Sequence, residues 1–172
     1  MDNIPVNNFK TLFDNHYPTV CRQLTYLLGN RSAAEDVAQE TFLKLYRTPP
    51  RDQGNVAGWL FRVARNLAFD YLRSEKSRNH REERSKVWEN GTLEALSCEE
   101  AVMRKQEIAL VHEVLQNLSE RDRTCLLLKF SGMSYEEIAE IAGIKQSSVG
   151  TVLARARARF KQEYTSLKGS EH

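Results

Sequence analysis

No run of this chain comes near the ~20 consecutive apolar residues that a membrane-spanning helix requires. The opening decapeptide MDNIPVNNFK is polar and lacks the apolar stretch of a secretory signal. A cytoplasmic protein is therefore expected. Cysteine is scarce: Cys21, Cys98 and Cys125 lie far apart, so they form neither a disulfide framework nor a metal-spaced pair. Cys125, inside CLLLKF, has the surroundings of a buried core thiol. His16, His80, His112 and His172 are scattered, and none has a second ligand three or four residues on. No metal site is expected. Neither a nucleophile elbow, a P-loop nor a dinucleotide-binding loop occurs. These absences argue against an enzyme, with no cofactor and no small-molecule substrate. Alternation of β-branched and aromatic residues is missing too, which leaves no strand to expect.

What is present is a helical pattern with uneven charge. At 172 residues and 41% apolar content the chain can form one domain or two small ones. The net charge is only +2. Residues 57–86 carry eight basic against four acidic side chains, residues 99–143 five against nine, and residues 144–172 six against two. Two basic patches separated by an acidic one point to two nucleic-acid contacts.

The fold class read from this pattern is all-α, two small helical domains joined by a flexible linker, the second a helix-turn-helix. The division falls at residues 1–76, 77–98 and 99–172. A first helix spans about Asn8 to Leu28, with an irregularity expected near Pro18, and ends at Gly29-Asn30. Ser32 starts a second helix, with Glu35 completing a capping box, and Thr48-Pro49-Pro50 stops it near Arg47. A third helix runs from about Val56 to Glu75. From Ser77 onward the apolar period dissolves into a polar, charged segment broken at Asn90-Gly91; Val87, Trp88, Leu93 and Leu96 could dock it on a partner. Helices from about Glu100 to Leu118 and Ser119 to Phe130 follow, the latter announced by Ser119 and Asp122.

The stretch SYEEIAEIAGIKQSSVGTVLARARARF is the most informative. Ser134 and Glu137 form a capping box, Gly143 can take the left-handed conformation that ends a helix, and a second helix follows at once. Tight Gly-containing turns of this kind join the two helices of a DNA-reading motif. At 100° per residue Val149, Leu153, Ala156 and Phe160 form a core stripe. Ser147, Thr151, Ala154 and Ala158 fall opposite, small enough to enter a major groove. Arg155 and Arg159 flank that face on one side, Arg157 and Lys161 on the other, where phosphates would lie. An ordinary amphipathic helix with a solvated basic face is the competing interpretation.

Two helices of the first domain carry further information. In the second, Ala34, Val37, Ala38, Thr41 and Leu45 make a buried stripe. Asp36, Gln39, Glu40, Leu43 and Arg47 lie opposite, and a Leu among acids suits a protein interface as well as a solvated face with one stray apolar residue. In the third, Leu60, Val63, Ala64, Leu67 and Tyr71 form the expected core stripe. The other side holds Arg62, Arg65, Asn66, Phe69 and Arg73, with Trp59 and Phe61 at its margins. Arg neutralises phosphate, rings stack on bases, and Asn pairs with an unpaired base edge, a combination suited to single-stranded DNA. Trp59 and Phe61 can equally be core aromatics.

Together these pieces resemble a sigma factor of the extracytoplasmic-function (ECF) type, in the sigma-70 family. SAAEDVAQETFLKLYR is similar to its core-polymerase-binding helix, GWLFRVARNLAFDYLRSEKSR to its promoter-melting helix, and the segment from ALVHEVLQNL to ARARF to its domain reading the −35 element. The resemblance implies that Asp36, Gln39 and Glu40, with Leu43 on the same face, bind the clamp of the polymerase largest subunit. It implies that Asn66 holds a base flipped from the −10 element, with Trp59, Arg62, Arg65 and Arg73 around it and the loop Thr48 to Gly58 shaping the pocket. It implies −35 contacts by Lys145, Gln146, Ser147, Ser148, Thr151, Arg155 and Arg159. The implied partners are core RNA polymerase, promoter DNA as duplex and as single strand, and an anti-sigma factor, commonly membrane-anchored in the family. The chain departs from the family where Lys145 replaces the usual Ser cap; Ser147 is then an alternative cap, and the helix start shifts accordingly. A stand-alone helix-turn-helix regulator is the rival function, and an RNA-binding regulator a third.

Overall fold

The computed structural model describes residues 6–51, 53–79 and 98–169. Among these residues there are seven α-helices, one short 3-10 turn and no strand. The chain divides into two compact units, Met1–Thr92 and Leu93–His172. Most of the expected linker, with Val87, Trp88, Leu93 and Leu96, lies outside the described residues; residues 77–79 still belong to a helix.

In the first unit, α1 (Val6–Leu28), α2 (Arg31–Arg47) and α3 (Val56–Asn79) pack pairwise against one another. α1 is continuous through Pro18. It ends where Gly29 adopts φ 68, a left-handed conformation that costs glycine nothing. That turn leaves Asn30 extended, and Asn30 rather than Ser32 caps α2: its Oδ1 accepts from the Ala33 amide at 3.1 Å. The Ser32–Glu35 capping box does not form. The helix starts a residue earlier, and Glu35 accepts from Arg31 at 2.8 Å instead. After Thr48 closes α2, the turn Gln53–Asn55 leads into α3.

Val20, Leu24, Leu27 and Leu28 of α1 meet Ala34, Ala38, Phe42 and Leu45 of α2 and Leu60, Phe61, Ala64, Ala68 and Phe69 of α3. Phe42 is 2% exposed, with the rings of Phe9, Phe13 and Tyr17 edge-on or tilted around it. The expected α2 stripe is buried as anticipated, joined by Ala33 and Phe42. The α3 stripe is buried only in part, at Leu60 and Ala64. Val63, Leu67 and Tyr71 are only half-buried, whereas Phe61 and Phe69 are in the core. The buried face is rotated by roughly 50° from the sequence pattern, counting 100° per residue. α3 has apolar residues on every side, so packing against α1 and α2 rather than period chooses the face.

The second unit holds α4 (Cys98–Gln116), α5 (Glu120–Phe130), α6 (Tyr135–Ala142) and α7 (Gln146–Gly169). α7 packs against the other three, and α5 also against α6. Val114, Leu115 and Leu118 meet Cys125, Leu128, Met133, Ile138, Ile141, Val149, Val152, Leu153 and Ala156 in one core. Cys125 is fully buried. Arg123 is buried as well; it donates to the Leu118 carbonyl at 3.3 Å and to Gln116 Oε1 at 3.1 Å, tying the α4–α5 turn. Burial lowers its pKa.

Candidate polymerase and nucleic-acid interfaces

On α2 the face opposite the core is open. Asp36, Gln39 and Glu40 are exposed, and Leu43 keeps 38% of its surface in solvent. Glu40 lies 3.6 Å from Lys44 one turn on, an exposed pair of little energetic weight. Three acceptor-bearing side chains around one Leu form a patch that a basic partner surface with an apolar notch would complement.

On α3 the rotation changes the membership of the exposed face. Its centre now lies opposite Leu60, Ala64 and Ala68, and Trp59, Arg62, Asn66 and Arg73 fall within about 60° of one another there. Arg65 sits at the margin. Phe61 leaves the face; Phe69 stays within about 40° of its centre by angle but is only 8% exposed, so Trp59, half-exposed, is the more accessible ring. Asn66 is exposed, and its Oδ1 accepts from Arg65 Nη2 at 2.9 Å and Nε at 3.2 Å. This leaves the Asn66 amide NH2 as the donor side of the group. Arg73 pairs with Asp70, one turn back. The start of α3 is shaped by Asn55, whose Oδ1 accepts from the Gly58 amide at 2.8 Å. A Cβ on residue 58 would meet that side chain at 2.7 Å, so Gly58 is needed for the cap to close.

In the second unit the helix-turn-helix forms as its sequence specifies. Ser134 Oγ accepts from the Glu137 amide and Glu137 Oε2 accepts from the Ser134 amide, at 3.2 and 2.8 Å. Gly143 closes α6 at φ 67. Lys145 occupies the cap position of α7, and no side-chain cap is seen; the Ser148 amide donates to the Lys145 carbonyl at 2.9 Å. The helix therefore starts at Gln146, and Ser147 lies inside its first turn instead of capping it. Gln146, Ser147, Thr151, Ala154 and Ala158 are exposed, over a buried seam of Val149, Val152, Leu153 and Ala156. Ser148 and Phe160 are half-buried. Gly150 lies against the Tyr135 ring, which a Cβ there would meet at 3.7 Å.

One partner of a candidate site residue escaped the sequence. Arg155, 58% exposed, donates from Nη2 to Asp122 Oδ1 at 2.6 Å, and the Asp122 side chain is 5% exposed. The carboxylate raises the pKa of the guanidinium. Asp122 looks like a helix-start signal in sequence, and its amide does bond Ser119 Oγ; the side chain, however, crosses to α7, 33 residues away. Beyond it, Arg155, Ala158, Arg159, Gln162 and Glu163 line an open concavity along α7.

Among the described residues no group of three or more His, Cys, Asp or Glu could hold a metal ion, and no helix is long and apolar enough to cross a membrane.

Comparison with known proteins gives both units the same kinship. Residues 12–78 match Sigma-70 region 2, and residues 108–160 match Sigma-70 region 4. The RNA polymerase sigma-H factor of Pseudomonas aeruginosa is 39% identical over 136 residues, covering 73% of this chain and 69% of that one. This chain belongs to the ECF sigma factors of the sigma-70 family. The ECF sigma factor BldN of Streptomyces coelicolor is 29% identical over 156 residues, 86% of this chain and 57% of BldN, so this sigma factor spans little more than half that relative's length. In structure it is similar to the sigma factor RpoE of Bartonella quintana, solved in complex with the anti-sigma factor NepR. The TM-score is 0.67 at 22% identity, over 93% of this chain and 98% of that one, a likeness of fold.

Proposed function

We propose that this sigma factor joins core RNA polymerase and directs promoter-specific transcription initiation by binding alone, without catalysing a reaction. The observation that carries the proposal is α7: a buried apolar seam under an exposed face of small and hydroxyl side chains, entered through a capped α6 and a left-handed Gly143. That surface suits a major groove. Region 4, residues 99–172, reads the −35 element as duplex through Lys145, Gln146, Ser147, Ser148, Thr151, Arg155 and Arg159. Region 2, residues 1–76, binds core polymerase through Asp36, Gln39, Glu40 and Leu43. It also captures the non-template strand through Trp59, Arg62, Arg65, Asn66 and Arg73. Residues 77–98 link the two. Capture of a flipped base offsets unpairing, which costs a few kcal/mol.

The partners are core polymerase and promoter DNA. An anti-sigma factor is a further partner; RpoE of Bartonella quintana, similar in fold, was solved in complex with one, NepR. The protein acts in the cytoplasm, where polymerase and promoters are. Reconstitution tests the proposal: purified chain plus core polymerase should yield transcripts from discrete promoters on chromosomal DNA. Promoter binding by the chain without any stimulation of core polymerase would favour a stand-alone regulator.

A further inference from the structure

Arg155 is exposed enough to be mobile, yet its guanidinium is tied to a carboxylate that is not. Asp122 stands at the third position of α5, where its backbone amide is held by Ser119 Oγ at 3.2 Å and its side chain is walled in by the core. α5 in turn is fastened to α4 through the buried Arg123. The carboxylate is thus a fixed point, and the 2.6 Å bond to Nη2 fixes Arg155 relative to the frame of the second unit. A guanidinium has five N–H donors in a rigid fork. The bond to Asp122 uses one edge and leaves the others on the exposed side of α7, next to Ala158 and Arg159.

An untethered Arg at a groove margin is a mobile counter-charge that meets any phosphate. A tethered one offers its donors at one place and one angle, and the rotamer freedom lost on binding DNA is already lost in the free protein. We propose that Asp122 is a positioning residue for upstream-element recognition: it holds Arg155 in a single geometry, and so converts a general cation into a contact that discriminates among sequences. The carboxylate also cancels much of the Arg155 charge. Its second effect is to weaken attachment to arbitrary duplex. Both effects raise the ratio of specific to non-specific binding, the quantity that matters on a chromosome. The proposal rests on α7 being the duplex-reading helix.

The test uses holoenzyme assembled from the full chain and core polymerase. The probes are a duplex carrying an upstream element selected by the wild-type holoenzyme from a randomised pool, and the same duplex scrambled. Asp122→Asn should weaken the selected duplex about tenfold, strengthen or preserve binding to the scrambled one, and steepen its salt dependence by up to about 0.9 in slope, one phosphate's worth. Arg155→Ala added to Asp122→Asn should reduce the specificity ratio no further, because the two side chains act as a unit. Arg155→Lys lies on the exposed side of the pair and keeps the charge without the fork. It should narrow the ratio as Asp122→Asn does, and decides the matter if the latter melts early. A wild-type ratio in the Arg155→Lys protein, or losses from Asp122→Asn and Arg155→Ala that simply multiply, overturns the positioning role. If Thr151→Ala and Arg155→Ala both leave the ratio untouched, the assignment of α7 itself fails, a distinct result.

Discussion

α3 and α7 are both 24 residues long and both basic, yet they are built differently. α7 alternates its large apolar residues with Ala, Gly, Ser and Thr, so its sequence admits one buried face, and that face is the one buried. α3 carries Trp59, Leu60, Phe61, Val63, Leu67 and Phe69 around most of its circumference. Period alone then leaves the phase open over tens of degrees, and the fit against α1 and α2 settles it. The polar groups differ in the same way. α3 restrains its arginines locally, Arg65 to Asn66 and Arg73 to Asp70. α7 ties Arg155 to a buried acid of another helix. A duplex offers a rigid groove, for which a pre-set side chain is an advantage. A melted strand is flexible, and locally held side chains can follow it.

The largest effect that separates the helices concerns Phe61. As a core ring, Phe61→Ala should lower unfolding stability by about 3–5 kcal/mol, the range for large aromatic deletions. As an exposed stacking surface it would change stability by no more than about 0.5 kcal/mol. Denaturant unfolding of the full chain measures it. Loss of strand capture with unchanged stability would restore the unrotated phase of α3.

Next in size is charge reversal on the open face of α2. Asp36→Arg with Glu40→Arg should cost several kcal/mol, roughly 2–5, in binding core polymerase if these carboxylates meet a basic surface. Both residues are exposed and opposite the core, so thermal unfolding should stay near that of wild type. A core-binding titration that finds unchanged affinity removes the interface from α2.

The caps show how far sequence alone reaches. Ser134 with Glu137 forms its box because Ser134 is itself the extended residue immediately before α6, at φ −69 and ψ 163. Ser32 with Glu35 has the same pattern, but Gly29 and Asn30 just upstream offer a better turn and a better cap, so the helix begins earlier. Local motifs are thus legible when nothing adjacent outranks them. The exposed face of α2 and the seam of α7 were legible from period, and the burial of Cys125 from its apolar neighbours. The Asp122–Arg155 pair was not, since a bond across 33 residues leaves no local trace. Neither was the burial of Phe69, while for Phe61 the sequence left core and surface equally open.

A smaller effect belongs to Asn66. With Oδ1 engaged by Arg65, the amide presents donors, and a base held there must supply acceptors. Asn66→Ala should leave polymerase and upstream duplex binding intact and weaken promoter opening by about 1–3 kcal/mol, the worth of a well-made base contact. A template pre-melted across the −10 element should recover part of the activity, because mismatch removes the unpairing cost but not the lost contact. Permanganate reactivity on duplex and bubble templates reports both. Wild-type opening by the Asn66→Ala protein would leave α3 without its base-reading group.

The smallest effect carries two signs at once. Lys145 stands where the cap of α7 belongs, is exposed, and cannot accept a hydrogen bond from the free amides of the first turn. A positive charge at a helix N-terminus also opposes the macrodipole. Lys145→Ser should therefore stabilise the second unit by about 1 kcal/mol, the usual value of an N-cap. The same substitution removes a cation from the edge of the groove-facing surface. Upstream duplex binding should weaken, with the salt slope shallower by roughly one unit if Lys145 meets a phosphate. Higher unfolding stability together with weaker, less salt-sensitive binding would mean that α7 gives up a cap for a phosphate contact. No counterpart exists on α3, where Asn55 caps the helix and the basic groups sit farther along. Higher stability with unaltered binding would identify Lys145 as a plain local defect.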